Sequence, residues 1–118
     1  MSDSPPHDRA STLLPRSYGG LKPLQAEFLR YQEVAFPKRS TRFFALELAG
    51  ETGELANLEK KEWKGHDVDQ AAFVDEAADV CIALLNFANG RGIDLAEAVE
   101  AKMRLVDERR RGGPGRAA

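Results

Sequence analysis

Apolar residues along this chain recur at helical spacing, and no alternating stretch is long enough to compete. Pro23 suits the first turn of a first helix, and Leu24, Phe28 and Tyr31 then follow at intervals of three and four. Phe36-Pro37 ends that helix, because proline disfavours helical backbone in the residue before it. Ser40 or Thr41 can cap a second helix that carries Phe44, Leu48, Leu55 and Leu58 and runs to about Trp63. Gly65-His66-Asp67 reads as a turn. Asp69 can cap a third helix that continues to Asn89, with Gly90 as its stop. Asp94 with Glu97 forms a capping box that opens a fourth, with Ala98, Met103 and Val106 on its apolar side. The pattern predicts an all-α fold, a four-helix bundle. Residues 1–20 hold Ser, Pro, Asp and Gly without an apolar face and read as a disordered arm. Residues 111–118 read as a disordered tail, which leaves one domain over 21–110.

The most apolar run, Ala77 to Leu85, reads AADVCIALL and contains one acid, Asp79. A helix apolar on nearly every side is expected to be buried. A buried carboxylate without a partner costs several kcal/mol, roughly, so Asp79 requires one. The neighbours on its face are acids too, Asp75 and Glu76. Cys81 lies in the same run and reads as a small buried hydrophobe.

Composition narrows the options. The 118 residues suffice for one domain, and 42% hydrophobic content is ordinary for a globular chain. A net charge of −2 gives no electrostatic case for binding duplex nucleic acid. No apolar stretch is long enough to span a membrane, and no basic-then-apolar signal pattern opens the chain. One cysteine excludes an internal disulfide and fits a reducing compartment, so the cytoplasm is the expected location. The two histidines, His7 and His66, lie far apart in loop-like contexts, which disfavours zinc or a histidine-based pair.

The acids form a constellation. Residues three apart on a helix share a face. Glu51 and Glu54 are one such pair, Glu76 and Asp79 another, and Glu47 extends the first by a turn. A short connection favours antiparallel packing of the second and third helices, which lets the pairs face each other. Four carboxylates crowded in low dielectric must share protons or hold a cation. Oxygen-only ligands suit Mg²⁺ or Mn²⁺. Glu51 and Glu54 alone are equally compatible with a solvated acidic face, and Glu59 to Glu62 read as one. Lys102 or an arginine of the fourth helix would satisfy Asp79 alone but not both pairs together. Gly50 and Gly53 flank Glu51 inside a helical pattern, at about 1 kcal/mol each relative to alanine, which suggests close approach of a helix or ligand.

The stretch ELAGETGELANLEKK, followed by DEAADVCIALLNFANGRGIDLAEAVEAKM, resembles the MazG-like family of all-α nucleoside triphosphate pyrophosphohydrolases. The marks are Glu51-x-x-Glu54, a spacer, Glu76-x-x-Asp79, and the following N-x-x-G-I-D-L-x-E-A-V-x-x-K. The resemblance covers about Phe28 to Arg109. It implies a Mg²⁺-dependent enzyme that cleaves a (deoxy)nucleoside triphosphate to monophosphate and pyrophosphate, in nucleotide-pool house-cleaning. Glu51, Glu54, Glu76 and Asp79 would hold the metal, with Glu47 as an accessory acid. Lys102 matches a family lysine expected to touch phosphate, and Arg109 falls near a family basic position. Asn86, two turns beyond Asp79 on its face, is placed to read sugar or base or to satisfy a buried hydrogen bond. Trp63 is a candidate to stack on the base, with Tyr31 and Phe36 as alternatives. A homodimer or a dimer of dimers is implied as well. Apolar residues on several helix sides agree, such as Phe43 beside Phe44 and Ile82 near Leu84. Two other readings stay open: a phosphoribosyl-ATP pyrophosphohydrolase on the same fold, and a non-catalytic helical module that binds a partner through its acidic face.

Overall fold

A computed structural model describes residues 12–112. The parts of the expected arm and tail at 1–11 and 113–118 lie outside the described residues, and 12–20 carry no helix or strand. Four helices follow: α1 Leu21–Ala35, α2 Thr41–Trp63, α3 Gln70–Arg91 and α4 Leu95–Arg111. No strand occurs among the described residues, so the chain is all-α.

The helix ends show why these residues stop where they do. Ser40 accepts the Phe43 N–H and caps α2. At its other end Gly65 takes φ 94°, and the Gly65 and His66 N–H groups bond back to the Glu62 and Lys61 carbonyls, a Schellman closure. Asp69 sits at the N-cap of α3, but its side chain makes no capping bond. Gly90 is not the stop of α3. The helix passes through it to Arg91, and Gly92 takes the left-handed φ of 68°. Ile93 N–H then bonds the Ala88 carbonyl at 2.9 Å, again the Schellman pattern. Gly90 has a different use: a Cβ there would lie 2.7 Å from Thr41 Cγ2, so its absence admits the start of α2. Asp94 caps α4 through the Glu97 N–H. The reciprocal half of the expected box is missing, since the Glu97 carboxylate turns to Lys22 instead.

The packing is led by α2 against α3. They run antiparallel, because the start of α2 meets the end of α3 at Thr41–Gly90 while Glu51 meets Glu76 and Asp79 halfway. Phe44 on α2 and Ala83, Leu85 and Ala88 on α3 are the buried hydrophobic residues. The C-terminal half of α3 is covered by α1 through a polar clamp. Gln25, nearly buried, donates to Asn89 Oδ1 at 3.0 Å and to the Ile93 carbonyl at 2.6 Å. Its Oε1 accepts the Leu95 N–H at 3.0 Å. Lys22 adds ion pairs to Asp94 and Glu97. These bonds tie α4 to α1, its main contact, and leave it projecting. The radius of gyration is 18.7 Å, against about 13 Å for a compact 100-residue domain.

This arrangement corrects the expected burial of the apolar run. Only Ala83 and Leu85 of Ala77–Leu85 are buried; Asp79 is half-buried and Cys81 is exposed. The reason is that α2 covers one side of α3 along its length, while α1 covers the back only near the C-terminal end. None of the helices is long and apolar enough to cross a membrane.

Candidate functional site

The seam between α2 and α3 is built from residues at spacings of three and four: Phe44, Leu48, Glu51, Leu55 and Leu58 on α2 are all partly or fully buried. Glu51 therefore takes a seam position that the pattern otherwise gives to apolar residues. Opposite it, Glu76 and Asp79 take two seam positions on α3, both half-buried. One carboxylate oxygen from each of these three residues lies within 4.8 Å of the other two. Glu54, exposed one turn on, lies near enough to Glu51 and Glu76 to raise the proton affinity of both. Three of the four acids expected at the site, Glu51, Glu76 and Asp79, thus share one small volume, with Glu54 beside it. Glu47 sits one turn before Glu51, near enough for its charge to act on that carboxyl.

The electrostatics follow from this crowding. The hydrogen bond from Glu54, then desolvation and the charges of Glu54 and Glu51, push the Glu76 carboxyl up to about 7. The Glu51 carboxyl is raised as well, by its hydrogen bond with Glu54, by desolvation and by the charge of Asp79. Crowding thus makes Glu76, and in the same direction Glu51, hold protons more tightly than isolated carboxyls do. Among the described residues no lysine or arginine forms an ion pair with any of the four. Oxygen donors on two helices, close together, with raised proton affinity and no basic partner, fit a hard divalent cation.

Next to the acids opens a cleft in two lobes of about 510 and 410 Å³. Its floor is the Phe36-Pro37 turn after α1, with α2 and α3 as walls. Gln32, Phe36, Arg39, Phe44 and Asn86 border both lobes, and Tyr31 borders the smaller. Glu47 and Ile82 line that lobe too, so the cleft continues into the acidic ladder. Asn86 is 7% exposed, and its amide makes no hydrogen bond among the described residues. Its polar atoms are not sealed off, and the residue borders both lobes of the cleft. Tyr31 and Phe36 meet edge to face at 5.8 Å, and the Arg39 guanidinium lies 4.9 Å from the Phe43 ring centre.

The other expected substrate residues lie elsewhere. Trp63 is 89% exposed at the end of α2. It is nine residues past Glu54, about 13 Å along the axis, and does not line the cleft. Lys102 and Arg109 are exposed on α4, which projects along α1 rather than over the α2–α3 seam. Gln32 and Arg39 were not singled out by the sequence. The signal was the Phe36-Pro37 break, which reads first as a helix stop and only secondarily as the wall of a cleft.

No family model and no curated protein matches the chain.

Proposed function

We propose that this chain is a MazG-like, divalent-cation-dependent pyrophosphohydrolase of nucleoside triphosphates. The observation that carries the reading is the cluster of Glu51, Glu76 and Asp79 oxygens within 4.8 Å, opening beside an aromatic cleft with an unengaged amide. Glu51, Glu54, Glu76 and Asp79 would hold Mg²⁺ or Mn²⁺, which supplies the positive charge that lets a polyanionic triphosphate approach four carboxylates. The base enters the cleft, where Phe36 and Tyr31 give it aromatic surface and Asn86 offers one donor and one acceptor to its polar edge. That placement runs the phosphates along Glu47 toward the acids.

The reaction balances as follows. A water oxygen bonds to the α phosphorus, and the bond from that phosphorus to the α–β bridging oxygen breaks. Pyrophosphate leaves, and the water's proton passes to a carboxylate, with Glu47 in the accessory position for it. Cleavage at the α phosphorus rests on the family resemblance; four carboxylates alone would serve attack at the γ phosphorus equally well. The test is a screen of ordinary and damaged (d)NTPs with Mg²⁺, read by pyrophosphate release. The proposal expects turnover of at least one triphosphate, lost in EDTA and in Asp79→Asn. Absence of turnover with every triphosphate under Mg²⁺ and Mn²⁺ would overturn it in favour of a binding module.

A further inference from the structure

The cleft carries a charged side chain that the reaction above does not use. Arg39 borders both lobes, and its guanidinium lies over the Phe43 ring, 4.9 Å from the centre. Glu33 lines one lobe and Glu47 the other, yet no carboxylate forms an ion pair with Arg39 among the described residues. Arg30, Arg104, Arg110 and Arg111, by contrast, each pair with an acid. The backbone of Arg39 runs between Pro37, whose ring fixes φ, and Ser40, which caps α2, so its side chain starts from a fixed point. A guanidinium over an aromatic ring keeps its N–H donors, which lie in its plane, for another partner.

Two ladders decide which part of a nucleotide meets it. On α2, Phe43, Glu47 and Glu51 recur every four residues, and on α3, Asn86, Ile82 and Asp79 recur at four and three. Phe43, Glu47, Ile82 and Asn86 line the smaller lobe. The helices are antiparallel, so both ladders lead from the cleft to the acids, over about 10–12 Å of axis. Phosphates held by a cation at Glu51 and Asp79 therefore leave the base, one ribose away, at the Arg39 end.

We propose that Arg39 selects the base, and that the preferred substrates are triphosphates of the 6-oxopurines, guanine and hypoxanthine, over those of adenine. The proposal rests on the pyrophosphohydrolase reading above and names its substrate. The chemistry is a match of donors to acceptors. A guanidinium has donors only, in a rigid fork. The edge of a 6-oxopurine carries two adjacent acceptors, N7 and O6, which such a fork meets at once. Adenine presents its N6 amino group where O6 would be, and cytosine presents its N4 amino group, so each sets donor against donor. Uracil offers O4 without N7, one contact in place of two. The opposite edge of guanine and hypoxanthine carries N–H donors, and the Gln32 and Asn86 amide oxygens border both lobes as acceptors. At 410 Å³ the smaller lobe falls within the range of small-ligand pockets, about 300–1,000 Å³, and so admits a purine.

The test measures kcat/KM by pyrophosphate release with Mg²⁺ for GTP, ITP, ATP and 7-deaza-GTP, which lacks the N7 acceptor, in ribose and deoxyribose forms. Wild type is expected to favour GTP and ITP over ATP by about tenfold or more, the discrimination of one bidentate pair. It should favour GTP over 7-deaza-GTP by about fivefold or more, the loss of one charge-assisted bond. Arg39→Ala, at an exposed position, is expected to keep its helical circular dichroism and to bring both ratios toward one, chiefly by raising KM for GTP. Arg39→Lys keeps the charge without the fork and should lose the ratios as well. Equal turnover of GTP and ATP by wild type, or a preference for ATP, would overturn the selection. Ratios retained in either variant would remove Arg39 from the base. An Arg39→Ala loss of the same size for every triphosphate would place the guanidinium on a phosphate and overturn it too. Turnover of no triphosphate is a failure of the pyrophosphohydrolase reading, and calorimetric titration with GMP and AMP then decides the selection. Tighter binding of GMP that Arg39→Ala abolishes would support it; equal binding, or none, would overturn it.

Discussion

Replacing Gln25 by leucine tests the clamp that sets where α4 goes. The glutamine is 6% exposed, so leucine of similar size fits the volume and removes only the polar atoms. Three bonds disappear: those to Asn89 Oδ1, to the Ile93 carbonyl and from the Leu95 N–H. Each neutral hydrogen bond is worth about 0.5–1.5 kcal/mol net. The groups left behind are only part-buried, so water partly replaces Gln25. The expected loss is then about 2–4 kcal/mol, minus a little for the added apolar burial. For a domain of this size 1 kcal/mol moves Tm by about 4–8 °C, so the midpoint should fall by about 10–20 °C. Thermal melts followed by circular dichroism, with urea titrations to confirm an unchanged slope, give the number. Amide exchange should show the loss concentrated at Ile93 and Leu95. A variant within about 0.5 kcal/mol of wild type would mean that water holds these groups equally well. The account of how α4 is aimed would then fail.

Three further outcomes follow from the acidic seam and the cleft. Folded Glu76 keeps its proton up to about 7, above the ordinary value of 4.5, so between those limits the folded state binds more protons than the unfolded. Stability without metal should therefore be present below pH 4.5 and fall as pH rises toward 7, and Glu76→Gln should flatten that fall in melts with EDTA; a Tm that rises over this window would contradict the crowding. At pH 8, Mg²⁺ at a hundredfold excess over its dissociation constant should add about 2.7 kcal/mol to the folded state, and Asp79→Asn should weaken that gain; an equal gain in the variant would remove Asp79 from the ligand set. Asn86→Ala should raise KM for the preferred triphosphate by about tenfold, the worth of one or two polar contacts; unchanged KM and unchanged discrimination among bases would show that the amide does not read the substrate.

The helices were legible because each has local punctuation: Pro37, Ser40, Gly65 and Asp94 mark ends that the structure respects. The stop of α3 was misplaced by two residues, since Gly90 and Gly92 are both glycine and only the backbone shows which takes positive φ. The meeting of Glu51 with Glu76 and Asp79 was legible for a similar reason. An acid at a seam spacing breaks an apolar pattern, and two such breaks on adjacent antiparallel helices have to meet. What the pattern did not reveal depends on pairs distant in sequence. Gln25 looks like any surface glutamine until Asn89 and Ile93 are brought to it. Asp79 and Cys81 were expected deep inside, because a run of apolar residues does not say whether its own chain suffices to cover it. Likewise Gly50 and Gly53 suggested close contacts, yet a Cβ at either would meet nothing within 4 Å.

The central claim is cleavage of a triphosphate at its α phosphorus by a site built on Glu51, Glu54, Glu76 and Asp79. Hydrolysis of the preferred triphosphate in ¹⁸O-water with Mg²⁺, read by mass spectrometry, tests it most directly. The account predicts one labelled oxygen in the nucleoside monophosphate and none in the pyrophosphate released with it. Label in free orthophosphate with nucleoside diphosphate as co-product would contradict the assigned bond while leaving the carboxylate site standing. Label in pyrophosphate would place the attack on the β phosphorus and contradict it as well.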